Sequence, residues 1–316
     1  MTQPPFDGRR PEIDRPADVG PTWTTLADTH IGSVHVRDQL PIQDAVLTWN
    51  DHALGHAVVA VADGHGHRLH FRSDTGAALA VISAVEELRR ILPELRAADH
   101  DAARDAVRRA GAALVATWTA KVEHHLAANP YSPAEEELGA AADPLRAYGS
   151  TILAAAATPD LVAFVQIGDG DSVLVSADGV ASRPLPEDPD LDGLHTTSLC
   201  QPRPLDALRV AVSAAGGDAV ALVFLCTDGF GRSRVDADGW WRQTGEQLVE
   251  FIRDRGLGWV REQLPVWLAE PAEIGGDDTT MALLVRSDVA GISRPDLADT
   301  MPVPDETVEL PRAPEA

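Results

Sequence analysis

The chain has 316 residues, and 44% of them are hydrophobic, which allows one large folded domain or two ordinary ones. Its formal net charge of −23 argues against nucleic acid as a partner, because proteins hold phosphate backbones with clustered Lys and Arg. Two cysteines give no disulfide framework, and no apolar segment is typical of a secretory signal or a membrane span. We therefore expect a cytoplasmic protein with neither a nucleic-acid nor a membrane partner.

The first half of the chain combines strand-like and helix-like segments. Residues 1–23 are polar and rich in proline, and we expect a flexible leader there. Strands are predicted where apolar residues run continuously or alternate, and helices where apolar residues recur at helical spacing. Pro93 is the predicted end of the first helix. The predicted strands cover 33–37, 44–49 and 56–62, and the predicted helices cover 73–92 and 101–127.

The second half of the chain repeats this order after a predicted loop or insertion at 129–147. Strands in runs followed by paired helices do not fit a parallel βαβ sheet, so we predict an α+β fold with helices covering antiparallel sheets. One domain is expected over 24–287, and the acidic, proline-rich residues 288–316 are expected to be a disordered tail. The predicted strands cover 150–158, 161–168, 171–177, 208–214, 219–227 and 280–286, and the predicted helices lie near 243–254 and 257–269.

Aspartates stand at the ends of several of the most apolar strands. Asp63, Asp169 and Asp228 end the segments AVVAVAD, VAFVQIGD and ALVFLCTD. Asp44 opens another strand, and Asp277 is the first of an acidic pair that precedes the last strand. A carboxylate at the end of a buried strand is partly desolvated and needs a cation or hydrogen-bond donors to stay charged. A turn or cap role explains any one of these aspartates, but together they predict a shared cation site.

Ligand chemistry narrows the choice of cation. Carboxylate oxygens with few soft ligands favour Mg²⁺ or Mn²⁺ over zinc. Two such ions about 3.5–4 Å apart can share a hydroxide and bind a phosphoryl oxygen. An acidic protein that handles phosphate would also need a metal to overcome its own field. The histidines of HGHRLH lack the further ligands of a tetrahedral zinc site, and IGDGDS lacks the spacing of a calcium-binding EF-hand loop.

Several motifs follow one another in a defined order: VADGHG, GSTILAA, IGDGDS, LCTDGF and GGDDTT, preceded by GSVHVRDQLPIQDAV. Together they resemble the motif series of the metal-dependent Ser/Thr protein phosphatases, the protein phosphatase 2C family. The resemblance spans about residues 30–286. It implies a four-layer α-β-β-α sandwich with two central antiparallel β-sheets. It also implies hydrolysis of phosphoserine and phosphothreonine in proteins with Mn²⁺ or Mg²⁺ as cofactor.

The resemblance implies roles for individual metal ligands. Asp63 matches the ligand that bridges two metal ions, and Gly64 would add its backbone carbonyl to the second ion. Asp228 and Asp277 match the remaining ligands of the first ion, since the family ligand is the first residue of the acidic pair. Asp169 matches an acid that, in bacterial members, helps to hold a third and weaker ion.

Other residues match the reacting and binding groups of the family. Asp44 matches an acid that holds metal-bound water, and His65 matches the general acid that protonates the leaving serine or threonine oxygen. The nucleophile would be a water activated by the metals. Arg37 is the predicted phosphate-binding arginine, because a guanidinium binds phosphate through two parallel hydrogen bonds. Arg68 and Arg72, just after the DGHGH turn, are the alternatives.

Two positions depart from the family pattern. Gln43 stands where the family commonly has a glutamate, which predicts weaker binding of the second ion and a preference for Mn²⁺. Gln39 occupies the usual position of the phosphate-binding arginine, so Arg37 would reach the site only through a bulge near Pro41. The expected partners are phosphorylated proteins of a Ser/Thr kinase pathway. A catalytically weak relative that binds or scaffolds phosphoproteins is the alternative, and a hydrolase of small phosphorylated metabolites is a third hypothesis.

Overall fold

A computed structural model of the protein describes residues 22–95, 99–139, 142–189, 191, 196–216, 220–234 and 239–288. The predicted leader and tail lie almost entirely outside these residues, and the division into leader, domain and tail stays a prediction. The strands are β1 (Trp23–His30), β2 (Ala45–Asp51), β3 (His56–Ala62), β4 (Ile152–Ala157), β5 (Leu161–Ile167), β6 (Asp171–Val175), β7 (Ala181–Ser182), β8 (Arg209–Ala214), β9 (Leu222–Cys226) and β10 (Thr279–Arg286). The α-helices are α1 (Ser33–Asp38), α2 (Ser73–Leu95), α3 (His100–Ala128), α4 (Pro133–Glu137), α5 (Asp228–Arg232), α6 (Trp240–Arg255) and α7 (Leu257–Gly275).

The described strands form two antiparallel sheets of five strands each. One sheet has the order β1-β10-β9-β6-β7, and the other has the order β2-β3-β4-β5-β8. Neighbouring strands pair antiparallel throughout both sheets. The predicted α+β fold with antiparallel sheets is therefore confirmed.

Strand β3 shows why the two sheets stack face to face. Its seven residues are all buried, so the strand is covered on both sides. Val59 and Val61 face the core between the two sheets, whereas Val58 and Ala60 face the helices α2 and α3. Because successive side chains point to opposite faces of a strand, a continuous apolar run requires cover on both faces.

Three apolar layers hold the four structural layers together. The central layer lies between the sheets and contains Trp23, Phe164 and Leu225. A second layer lies between α2, α3 and one sheet, and a third lies between α6, α7 and the other sheet. The order is helix, sheet, sheet, helix, as the family resemblance implied.

Helix α1 replaces the strand that was predicted at 33–37, and that prediction was wrong. Val34 and Val36 are exposed, and His35 is the buried residue of the segment. The alternation of valines with polar residues therefore did not indicate the buried face of a strand. Gly32 allows the helix to start close to another loop, because a Cβ there would lie 2.3 Å from the carbonyl oxygen of Gly276.

Three smaller differences concern the ends of elements. Pro93 lies inside the last turn of α2, which continues to Leu95 rather than ending at the proline. Sequence analysis did not predict β1, whose mixed polar pattern is typical of an edge strand. The predicted loop at 129–147 contains α4, which begins with a capping box formed by Ser132 and Glu135.

We expect Phe164→Ala to lower the free energy of unfolding by about 3–5 kcal/mol, because its fully buried ring fills the layer between the sheets. Val180→Ala is the control, since that side chain is 63% exposed and should change stability by no more than about 0.5 kcal/mol. Urea denaturation followed by tryptophan fluorescence measures both values. Equal effects of the two substitutions would contradict this arrangement of the core.

Candidate metal centre

The strand ends that carry aspartates meet at one end of the sandwich. Ala45 of β2 pairs with Ala62 of β3, so Asp44 and Asp63 lie side by side at the end of one sheet. In the other sheet Met281 of β10 pairs with Cys226 of β9, and the acids before β10 and after β9 are brought together in the same way. Stacking of the two sheets then places both sets of acids at the same site.

Asp44 joins the two sheets through one carboxylate oxygen. Its Oδ2 accepts hydrogen bonds from Thr227 Oγ1 at 2.7 Å and from Thr280 Oγ1 at 2.6 Å. Burial raises the pKa of Asp44 well above its usual value, while the two hydroxyl bonds oppose that rise. Sequence analysis assigned Asp44 to metal-bound water, and the structure places it buried beside the cavity described below.

The adjacent acids Asp277 and Asp278 have different surroundings. Asp278 is buried, and its carboxylate accepts hydrogen bonds from the backbone N–H groups of Gly32 at 2.7 Å and Gln43 at 2.6 Å. His35 Nδ1 lies 3.0 Å from the same carboxylate. Asp277 is exposed and lines the cavity. Asp278 therefore fixes the loops before α1 and β2, and Asp277 is available to a ligand.

Asp63 and Asp228 both line the cavity, and the charge of Asp228 opposes the ionisation of Asp63. Burial, followed by the charges of Asp228, Asp44 and Asp277, raises the pKa of Asp63 well above its usual value. Burial and the charge of Asp169 raise the pKa of Asp228 to about 6. The Oδ1 atom of Asp228 is buried without a hydrogen-bond partner. Two neighbouring carboxylates and an unpartnered buried oxygen fit the chemistry of a cation-binding site.

The remaining acid, Asp169, already has partners. Thr196 Oγ1 donates a hydrogen bond to Asp169 Oδ1 at 2.6 Å, and Arg232 Nη2 donates to Oδ2 at 2.9 Å. The other terminal nitrogen of Arg232, Nη1, lies 2.6 Å from Asp228 Oδ2. The guanidinium thus stands between two of the predicted metal ligands.

These residues line an open cavity of about 660 Å³. Five of the predicted site residues lie in its wall. Further groups come from Arg146, Arg232 and the loop at 196–202. Among the described residues no three His, Cys, Asp or Glu side chains lie in a metal-binding arrangement. Arg232 forms ion pairs with two of the acids. The cavity-lining residues that sequence analysis predicted are Asp63, His65, Asp169, Asp228 and Asp277.

Gly64 lies buried directly after Asp63, in a turn that a side chain would obstruct. A Cβ at this position would lie 2.6 Å from the carbonyl oxygen of Gln43 and 2.7 Å from that of Ser73. The side-chain oxygen of Gln43 is buried without a hydrogen-bond partner, and it lies 3.6 Å from the Cβ position of Gly66. Gln43 therefore offers a neutral oxygen towards the turn where a glutamate would offer a charged one.

His65 lies in the cavity wall with a defined hydrogen bond. Its Nε2 is 2.7 Å from Ser198 Oγ, which also donates to the carbonyl oxygen of Ser150 at 3.1 Å. Burial, with a smaller contribution from the neighbouring His70, lowers the pKa of His65 to about 4. Sequence analysis assumed a near-neutral pKa, so the structure changes the expected charge of His65 at neutral pH from mixed to uncharged.

The structure does not bring the predicted phosphate-binding arginine to the cavity. Arg37 lies on α1 with 69% of its side chain exposed, and it forms a bidentate pair with Asp38. Arg72 instead binds Glu135 and the hydroxyl of Tyr148. Arg68 is exposed and, like Arg37, is not among the cavity-lining residues of the described chain. Among the described residues the arginines in the cavity wall are Arg146 and Arg232.

Sequence analysis missed several residues of the site, and one of them left a signal. Arg232 stands four positions after Asp228 in the segment DGFGR, and residues four apart lie on the same face of a helix. Prediction of α5 would have paired them. Ser198 and Thr196 belong to a loop with no recognisable pattern, so their position depends on the folded chain.

The comparisons with known proteins identify the family. The sequence profile described as "Protein phosphatase 2C" matches residues 31–269, well over half of the 316-residue chain. The chain belongs to the protein phosphatase 2C family. A search of curated protein sequences gives no match.

Solved structures share the fold of this phosphatase 2C family member at low sequence identity. PppA, titled a key regulatory component of T6SS in Pseudomonas aeruginosa, is 16% identical with a TM-score of 0.50, over 84% of this chain and 99% of PppA. The catalytic domain of the Ser/Thr phosphatase PstP with 2 manganese ions is 17% identical with a TM-score of 0.50, over 84% and 99%. A C. elegans sex determining protein is 16% identical with a TM-score of 0.51, over 85% and 67%. These likenesses show the fold.

None of the helices in the described residues combines the length and the apolar character needed to cross a bilayer.

The different roles of the adjacent acids can be tested by Asp278→Asn and its matched control Asp277→Asn. An amide at position 278 would set an N–H donor against backbone donors, so we expect a loss of about 1–3 kcal/mol in the free energy of unfolding. At position 277 the amide keeps the oxygen that accepts from the N–H of Asp278, and we expect a change within about 0.5 kcal/mol. Chemical denaturation with a chelator present measures both, and equal losses would contradict these roles.

The raised pKa of Asp228 predicts a pH dependence for the metal-free protein. A carboxyl group with a higher pKa in the folded than in the unfolded state stabilises the fold at low pH and loses that contribution as pH rises. With a folded pKa of about 6, the loss lies between about pH 4 and pH 6 and amounts to the order of 2 kcal/mol. Asp228→Asn removes this contribution.

The unfolding free energies of wild type and Asp228→Asn, measured with a chelator across that pH range, should therefore change relative to each other. The wild type should lose stability relative to the variant as pH rises. Parallel pH profiles for the two proteins would show that Asp228 titrates normally.

Proposed function

We propose that this protein hydrolyses phosphoserine and phosphothreonine in proteins, with Mn²⁺ or Mg²⁺ as cofactor. The observation that supports this proposal most is the meeting of Asp63, Asp228 and Asp277 in one cavity with His65. Each of the three aspartates stands at the end of a different element, so only the fold brings them together. The family membership makes a phosphoester the natural substrate for such a site.

The chain offers a set of oxygen ligands, and a divalent ion would relieve the repulsion among these acids. Asp63, Asp228 and Asp277 would hold the ions, with the carbonyl of Gly64 as a further ligand. Bound ions of this kind activate a water as nucleophile and stabilise negative charge on the phosphoryl oxygens. The unpartnered Oδ1 of Asp228 is the atom that gains most from such an ion.

Because the cavity is negatively charged, phosphate binding should depend strictly on the metal cofactor. A phosphate dianion would enter a cavity lined by the acids 63, 143, 169, 228 and 277, in a chain of net charge −23. Arg146 and Arg232 in the wall supply less positive charge than these acids supply negative charge. The repulsion falls only when cations neutralise the carboxylates, so phosphate and metal binding should be coupled.

His65 is the proposed proton donor to the leaving oxygen. Its ring lies in the cavity wall, and Ser198 fixes the ring through Nε2. With a pKa of about 4 the free imidazole is neutral at pH 7, so it carries one ring proton. A phosphate dianion next to the ring favours the charged form and would raise that pKa, which prepares His65 to protonate the alkoxide.

The physiological setting follows from the same proposal. The substrates would be proteins phosphorylated by a Ser/Thr kinase, and the protein would act in the cytoplasm, in keeping with its composition. The open cavity can receive a phosphorylated side chain presented on a protein surface.

A catalytically weak relative that binds or scaffolds phosphoproteins is the second candidate. It is favoured by the pairing of Asp228 with Arg232 and by the neutral Gln43 next to the DGHG turn. The fold neighbour PppA is titled a regulatory component, which shows that this fold occurs in regulatory proteins. Binding of phosphopeptides without turnover would support this candidate.

Hydrolysis of p-nitrophenyl phosphate and of phosphothreonine peptides tests the proposal. We expect activity that depends on Mn²⁺, disappears with a chelator, and falls more than about 100-fold in Asp63→Asn and Asp228→Asn, which lose a ligand charge. Asp178→Asn is the matched control, because Asp178 also precedes a glycine but lies in an exposed turn outside the cavity. Full activity in both cavity variants would refute the assigned ligands.

A further inference from the structure

Arg232 occupies a special position among the acids of the cavity. It ends α5, the short helix that Asp228 begins, and the four-residue spacing puts both side chains on one helix face. Its Nη1 lies 2.6 Å from Asp228 Oδ2, and its Nη2 lies 2.9 Å from Asp169 Oδ2. One guanidinium therefore bridges two carboxylates, one from the connection between β5 and β6 and one from the start of α5.

Both oxygens of Asp169 are engaged in this arrangement. Oδ2 accepts from Arg232, and Oδ1 accepts from the hydroxyl of Thr196 at 2.6 Å. Asp228 is different, because its second oxygen is buried and has no hydrogen-bond partner. A further cation would therefore bind Asp228 on the side that faces Asp63, and not on the side that faces Asp169.

The charge of Arg232 acts on two acids of the cavity. It opposes the rise in the pKa of both Asp228 and Asp277, although burial and the other acids still dominate. The side chain of Arg232 is 59% exposed, whereas those of Asp228 and Asp169 are 8% and 15% exposed. The guanidinium therefore closes the solvent side of these two acids.

We propose that Arg232 is a cation built into the chain, which takes the place of an additional divalent ion between Asp169 and Asp228. The chain then binds two divalent ions, on the side formed by Asp63, Asp228 and Asp277, and Asp169 is an ion-pair partner rather than a metal ligand. This inference rests on the proposed metal-dependent function. It revises the role of Asp169 that the family resemblance implied.

Counting of bound Mn²⁺ tests the proposal. Electron paramagnetic resonance measures free Mn²⁺ during titration of the full-length chain into the millimolar range, without reference to catalysis. We expect about two bound ions in wild type, and one more weakly bound ion in Arg232→Gln, where the freed Asp169 and Asp228 can share it. The double variant Arg232→Gln/Asp169→Asn should lose that additional ion.

Arg108→Gln is the matched control, because Arg108 pairs with Asp105 on the exposed face of α3 and its loss changes the net charge equally. It should bind the same number of ions as wild type. An additional ion in this control as well would show a general charge effect and would overturn the assignment to Arg232.

The remaining outcomes separate this inference from the proposed function. Two ions in both wild type and Arg232→Gln, or three in wild type, would overturn the role of Arg232 and leave the phosphatase proposal intact. If none of these proteins binds Mn²⁺, the metal-dependent function is refuted. The proposal that Arg232 replaces an ion is then refuted as well.

A second measurement covers the case in which Arg232→Gln does not fold. Crystals of wild type soaked in Mn²⁺ would show by anomalous scattering which positions hold an ion. We expect manganese peaks next to Asp63 and the guanidinium between Asp169 and Asp228. A manganese peak between Asp169 and Asp228, with Arg232 displaced, would overturn the proposal.

Discussion

The site depends on one electrostatic constraint, which is the gathering of carboxylates where the two sheets end. The sheets must stack because their inner faces are apolar, as β3 illustrates with its buried valines. Stacking brings the acids that follow β3 and β9 close together, and the charge of Asp228 adds to burial in raising the pKa of Asp63. The burial that stabilises the sandwich is therefore also the reason why its edge requires positive charge.

The fold meets this requirement with different groups at different positions. Backbone N–H groups satisfy Asp278, and threonine hydroxyls satisfy one oxygen of Asp44. A guanidinium satisfies Asp169. What is left is the pair Asp63 and Asp228, with a buried oxygen of Asp228 that has no hydrogen-bond partner among the described residues.

The sequence predicted most of the fold because continuous apolar runs left little choice of structure. The buried strands β3, β4 and β9 and the long helices α2 and α3 were all recognised from such patterns. Segments whose apolar residues are exposed misled the prediction, and the valines of α1 are the clearest example.

The acids of the cavity were found because a charge at the end of a buried strand is unusual. Their partners were not found, since pairing of Arg232 with Asp169, or of Ser198 with His65, joins residues far apart in the chain. The exposed position of Arg37 likewise follows from α1, which the sequence pattern did not reveal.

The hydroxyl bonds to Asp44 have a consequence for how the molecule can adapt to its ligands. Thr227 and Thr280 belong to one sheet and the carboxylate to the other, and both bonds are short and buried. Sliding of one sheet over the other would break both bonds and leave a buried carboxylate unsolvated, so the inner wall of the cavity is rigid. Diversity in what the cavity accepts must then come from its outer wall, to which the loop residues 142–149 and 200–202 contribute.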